Sequence, residues 1–146
     1  MIKTNNTSPL KNIDRRGLRK LANQVWQVYQ KKQCELSLTF VSRLEIVEIN
    51  KSYLKRSYET DVIAFNLGEN PDGRVLADVY ICPEVAAANA EDYGCELSVE
   101  LARLVVHGVL HVLGFDDHTE TGREEMRQLE DQFLEQYVKE QHRGKE

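Results

Sequence analysis

No stretch of this 146-residue chain is long and apolar enough to cross a bilayer, and the opening Met1-Ile2-Lys3-Thr4-Asn5-Asn6 lacks the apolar region of a signal peptide. A cytoplasmic protein without a membrane partner is therefore expected. Cysteine is scarce. Cys34, Cys82 and Cys95 are odd in number, far apart and form no CxxC pair, so reduced thiols are expected rather than a disulfide framework. No internal repeat, low-complexity run or linker interrupts the chain. Residues 1–146 are read as one domain, large enough for a core without disulfide staples. Its 41% apolar and 29% charged content fit an ordinary soluble globular protein.

The net charge of −5 hides an asymmetry: residues 1–60 hold 12 Lys/Arg against 5 Asp/Glu, and residues 61–146 hold 7 against 19. Solvated helix faces explain this most simply. A basic surface suited to a polyanion is the sharper reading.

Hydrophobic periodicity predicts the elements. A brief first strand precedes the polar stretch at 4–9. Asp14 is a plausible N-cap for a helix to about Gln33, with Leu18, Leu21, Ala22 and Val25 on one face. Glu35–Val41 alternates as a half-buried strand. Ser42 and Glu45 make a capping box for a helix reaching about Tyr53. Thr60–Leu67 and Val75–Cys82 flank the turn Asn70-Pro-Asp-Gly73 as a hairpin. Pro83 and Gly94 bracket a short helix. Ser98 is expected to cap a helix through Leu113 that is apolar nearly all round and hence buried. Thr121 and Glu124 are expected to open a last amphipathic helix carrying Met126, Leu129, Phe133, Leu134 and Tyr137. The expected fold class is α+β, a small mixed sheet packed with helices around a buried central helix.

That central helix carries the chemistry. His107 and His111 are four apart and so share one helical face. Gly114 can end the helix in a left-handed turn, after which Asp117 or His118 can supply a third ligand. Two imidazoles and one further ligand leave a position of a tetrahedral zinc open, the layout of a catalytic site. Zinc, one ion per chain, is the expected cofactor; nickel, cobalt and manganese are alternatives. Zinc proteases of the H-E-x-x-H type place a glutamate directly after the first histidine. Here Gly108 stands in that place, which argues against peptide hydrolysis. Any proton shuttle must come from elsewhere, with His118, Asp116 and Asp61 as candidates.

The run His107-Gly-Val-Leu-His111-Val-Leu-Gly-Phe-Asp resembles the signature of the YbeY endoribonucleases. Asn50-x-x-Tyr53 followed by Thr60-Asp61-Val62-Ile63-Ala64-Phe65 resembles a second segment of that family. Asp78-Val-Tyr-Ile-Cys82-Pro83-Glu84-Val85 resembles a third. The resemblance implies an α+β fold and a zinc held by three ligands, in a cleft that takes single-stranded RNA. It also implies cytoplasmic work on the 3′ end of small-subunit ribosomal RNA and in ribosome quality control. The small subunit or assembly proteins become candidate partners, and DNA is not expected.

The chain departs from the family pattern at informative places. The family's third ligand is usually a histidine six residues after the second; here that position is Asp117. The spacing from Gly114 to Met126 supports an ungapped match, so Asp117 is favoured, with His118 as the rival. The arginine that follows the tyrosine in the family is Leu54 here. Lys55 and Arg56 come next and are candidates to replace it in the catalytic machinery beside His107. Glu59, Ala64 and Ala77 stand for the family's proline, serine and glycine. Two readings compete with a nuclease: an assembly factor with a mainly structural metal, and a metal hydrolase of other substrates.

Overall fold

The computed structural model describes residues 1–55 and 59–143. Arg56, a candidate catalytic residue, lies outside them. The elements are β1 (Ile2–Asn6), α1 (Arg15–Tyr29), β2 (Cys34–Phe40), α2 (Arg43–Leu54), β3 (Val62–Glu69), β4 (Val75–Ile81), α3 (Pro83–Tyr93), α4 (Leu97–Val112) and α5 (Glu120–Arg143).

The sheet runs β1-β2-β4-β3. β1 and β4 both lie parallel to β2, and β3 is antiparallel to β4, so the sheet is mixed as expected. Alternation decides which face is covered. On β2, Cys34, Leu36, Leu38 and Phe40 are buried while Glu35 and Ser37 are exposed. On β4, Val75, Ala77, Val79 and Ile81 are buried in the same way. This apolar face joins α1, α4 and α5 in the main core. A smaller cluster of Val41, Ile46, Ile63 and Cys82 forms where α2 packs.

Helix α4 lies at the centre, with Leu101, Ala102, Leu104, Val105, Val106, Val109, Leu110 and Val112 buried. Its close seat on the sheet depends on Gly108. A Cβ there would stand 2.6 Å from Cγ1 of Val79, which belongs to the buried β4 face. The glycine that removes a protease's glutamate is thus the point where helix meets sheet.

The helix ends refine the expectations. Asp14 caps α1, accepting from the Gly17 amide, but the helix stops at Tyr29 rather than near Gln33. Beyond it, the Trp26 indole donates to the Lys32 carbonyl and fixes the turn into β2. The Ser42–Glu45 capping box forms in full. Helix α4 begins at Leu97 with Glu96 as N-cap, so Ser98 does not cap it. Thr119, not Thr121, caps α5: its hydroxyl accepts from the Gly122 amide at 2.9 Å.

Candidate metal centre

The site is built where α4 ends. Positions 107 and 111 lie on a partly buried stripe of α4, and their side chains are 23% and 30% exposed. After Val112 the chain turns through Gly114, whose φ of 104° is in the left-handed region that glycine takes without strain. The Gly114 amide donates to the His111 carbonyl and the Phe115 amide to the Leu110 carbonyl. Phe115 then anchors edge-on against Tyr29, ring centroids 5.0 Å apart.

That reversal carries Asp117 back over the histidines. Its backbone is held in turn: Arg123 Nη1 donates to the carbonyls of Asp117 and His118, each at 3.4 Å. The first turn of α5 closes against the loop at Gly122, where a Cβ would stand 2.6 Å from the Asp116 carbonyl oxygen. Asp116 is occupied by the loop, accepting from the His118 amide at 2.8 Å.

The three donors converge. Nε2 of His107 and Nε2 of His111 are 3.1 Å apart. Asp117 Oδ2 lies 3.5 Å from the first and Oδ1 3.4 Å from the second. Zinc bonds of about 2.0–2.1 Å at tetrahedral angles imply donor separations of about 3.3 Å. The spacing therefore fits a small tetrahedral ion. Among the described residues, the group able to hold a metal is His107, His111 and Asp117; exposed His118 is not in it.

A fourth residue, which sequence reading missed, completes the arrangement. Glu130 Oε2 stands 2.7 Å from Nδ1 of His107. It is buried, 6% exposed, and its other oxygen lies 3.4 Å from Nη1 of Arg103. A carboxylate at Nδ1 leaves Nε2 as the free donor and fixes the ring's orientation. A signal was present: Glu130 interrupts the apolar stripe of α5, four residues after Met126 and four before Leu134, both buried.

The electrostatics of the two imidazoles differ. Burial by itself lowers the basicity of His107, but the hydrogen bond and charge of Glu130, with Asp117 and Asp61, outweigh it and hold its pKa above the ordinary value. For His111 burial dominates, reinforced by the neighbouring His107, and the pKa is lowered. An acidic surround that favours positive charge at His107 equally favours a bound cation.

The other candidates are dispersed. Asp61 has a structural partner, accepting from Asn89 Nδ2 at 3.1 Å, yet it also lines a cavity of about 160 Å³ with His107, Glu100 and Glu130. Lys55 ends α2 in the left-handed region at φ 58° and lines neither cavity that His107 lines. The basic residues of α1 gather elsewhere: Arg16, Arg19 and Lys20 line a groove of about 700 Å³ shared with Tyr137, Glu140 and Gln141 of α5. Cys34 and Cys82 are buried and Cys95 is exposed, all as free thiols. No helix among the described residues is long and apolar enough to cross a membrane.

A family model described as Endoribonuclease YbeY matches residues 3–138. The chain belongs to the YbeY endoribonuclease family. The Endoribonuclease YbeY of Staphylococcus aureus (strain bovine RF122 / ET3-1) is 44% identical over 112 residues, 70% of this chain and 72% of that protein. That of Staphylococcus saprophyticus is 42% identical over 113 residues, 73% of this chain and 74% of its own length. The solution structure of TM1509 from Thermotoga maritima matches 99% of this chain and 93% of that one, with a TM-score of 0.66 at 24% identity. This last likeness concerns the fold. YbeY membership agrees with the three segments read from the sequence, from Asn50 to Val85 and through the histidine run.

Proposed function

We propose that the protein is a zinc-dependent, single-strand-specific endoribonuclease that matures the 3′ end of small-subunit ribosomal RNA and takes part in ribosome quality control. Family membership makes it an RNA-cleaving hydrolase. The metal, the strand preference and the ribosomal task rest on the family resemblance together with the site's chemistry. The cytoplasm is the compartment this reading requires, residues 1–146 act as one domain, and the small subunit and its assembly proteins are the proposed partners.

One observation carries the proposal: the convergence of His107, His111 and Asp117 at mutual donor distances of 3.1–3.5 Å. We take these three as the ligands. The donor set of two imidazoles and one carboxylate suits zinc. A bound ion supplies Lewis acidity toward a phosphoryl oxygen and lowers the pKa of water near it.

The remaining chemistry belongs to the chain. Glu130 accepts the Nδ1 proton of His107 and keeps Nε2 free. Gly108 offers no base next to His107, which separates this site from peptide-cleaving ones. The partial exposure of all three ligands favours a site that admits substrate over a closed structural one. Lys55 and Arg56 are retained as proposed phosphate contacts through the α2–β3 connection.

Purified, zinc-loaded protein should cut a single-stranded RNA, leave a duplex of the same sequence intact, and lose cutting with a chelator or with His107→Ala. Undiminished cutting by metal-free protein would overturn the proposal.

A further inference from the structure

Resting on the nuclease reading, we propose that Arg127 on α5 grips a phosphate of the RNA beside the metal ligands, a contact additional to those proposed for Lys55 and Arg56. Arg127 lines a cavity of about 190 Å³ together with His107, Asp117, Arg123, Met126 and Glu130. Two of these are metal-ligand candidates, so an anion in this cavity sits against the metal centre.

The cations of α5 have distinct employments. Arg123 is committed to the loop, donating to the carbonyls of Asp117 and His118. Arg127, one turn further, has no hydrogen bond or ion pair among the described residues. Two of its acidic helix neighbours are engaged elsewhere, Glu130 with His107 and Arg103 and Asp131 with Arg103 at 3.5 Å, and Arg127 forms no ion pair with the third, Glu124. Arg123 and Arg127 are like charges at i and i+4, an arrangement that disfavours the helix unless an anion sits between them. An exposed arginine without a partner, one turn from another arginine and opening on ligand atoms, matches a group that waits for an anion.

The charge balance points the same way. Asp117 contributes an anion where a histidine ligand would be neutral, and Glu130 and Asp61 lie behind it. A polyanionic substrate approaching this acidic centre needs compensating positive charge at its edge. The basic residues of α1 line a different groove, and Lys55 lines neither cavity at the site. Guanidinium suits the task because its planar fork binds phosphate oxygens in pairs.

The test compares parent, Arg127→Ala and Arg127→Lys, each zinc-loaded, on a single-stranded RNA oligonucleotide, with binding followed by fluorescence anisotropy across a salt series. Arg127→Ala should keep the parent's metal content and melting temperature. It should weaken binding and raise KM about ten- to hundredfold, and lower the slope of log affinity against log salt by about one. Arg127→Lys should recover part of the loss. If the parent cuts RNA and Arg127→Ala matches it in KM and salt slope, the inference fails while the nuclease reading stands. If the parent binds but does not cut, and Arg127→Ala still weakens binding, the inference stands and the nuclease reading falls.

Discussion

Nδ1 of His107 and Oε2 of Glu130 stand 2.7 Å apart, and this contact joins α4 to α5 at the metal centre. It holds the imidazole with Nε2 turned toward His111 and Asp117. Glu130→Ala should weaken metal binding about 10–100-fold, the usual cost of losing such a partner. Glu130→Gln, whose amide oxygen can still accept from Nδ1, should lose less. Competition titrations against a chelating dye check this, and equal affinity in Glu130→Ala would refute the orienting role.

Gly108 tests the packing beneath the site. Its virtual Cβ falls 2.6 Å from Val79 Cγ1, and Val79 is 0% exposed, so the strand has little room to give. Gly108→Ala should destabilise the fold by roughly 1–3 kcal/mol, in line with overpacked cores. Gly108→Glu should do worse and should not gain peptidase activity. Denaturant melts give the first result and a peptide-library digest the second.

Much of this was legible in the chain. Alternation on β2 and β4 marks the covered face of the sheet, and the nearly all-apolar α4 marks the centre of the core. The i, i+4 histidines and Gly114 mark the candidate metal site because all three act within one helix and its terminal turn. What depends on packing between distant segments was not legible. Glu130 reaches His107 only because α5 docks against α4, and nothing local to residue 130 names its partner. That Asp117 rather than His118 lies beside the two histidines follows from the loop, where Arg123, Asp116 and Gly122 hold the backbone. The basic residues of α1 looked available to an RNA cleft, but the fold sends Arg16, Arg19 and Lys20 to a separate groove.

Glu100, which lines a cavity together with His107, offers a pH test. It is 2% exposed, and its Oε1, 3.5 Å from Arg103 Nε, has no hydrogen bond among the described residues. Burial, with Asp61 and Glu130 nearby, holds its pKa above the ordinary carboxylate value despite Arg103. The native state therefore binds a proton that the unfolded chain has already released. Stability contributed by this group is present at low pH and falls as pH rises from the ordinary carboxylate value through the raised one. Glu100→Gln should melt above the parent at pH 7, and the gap should close as pH drops below about 4, where both forms are neutral. A constant gap across pH would contradict this.

The third ligand is the central claim, and the most direct measurement is a zinc titration of the parent, Asp117→Ala and His118→Ala side by side, with circular dichroism confirming that each is folded. The account predicts that His118→Ala binds one equivalent of zinc as the parent does, whereas Asp117→Ala binds at least about tenfold more weakly, consistent with losing one of three protein ligands. Parent-like zinc binding by Asp117→Ala, with loss of binding in His118→Ala, would contradict it.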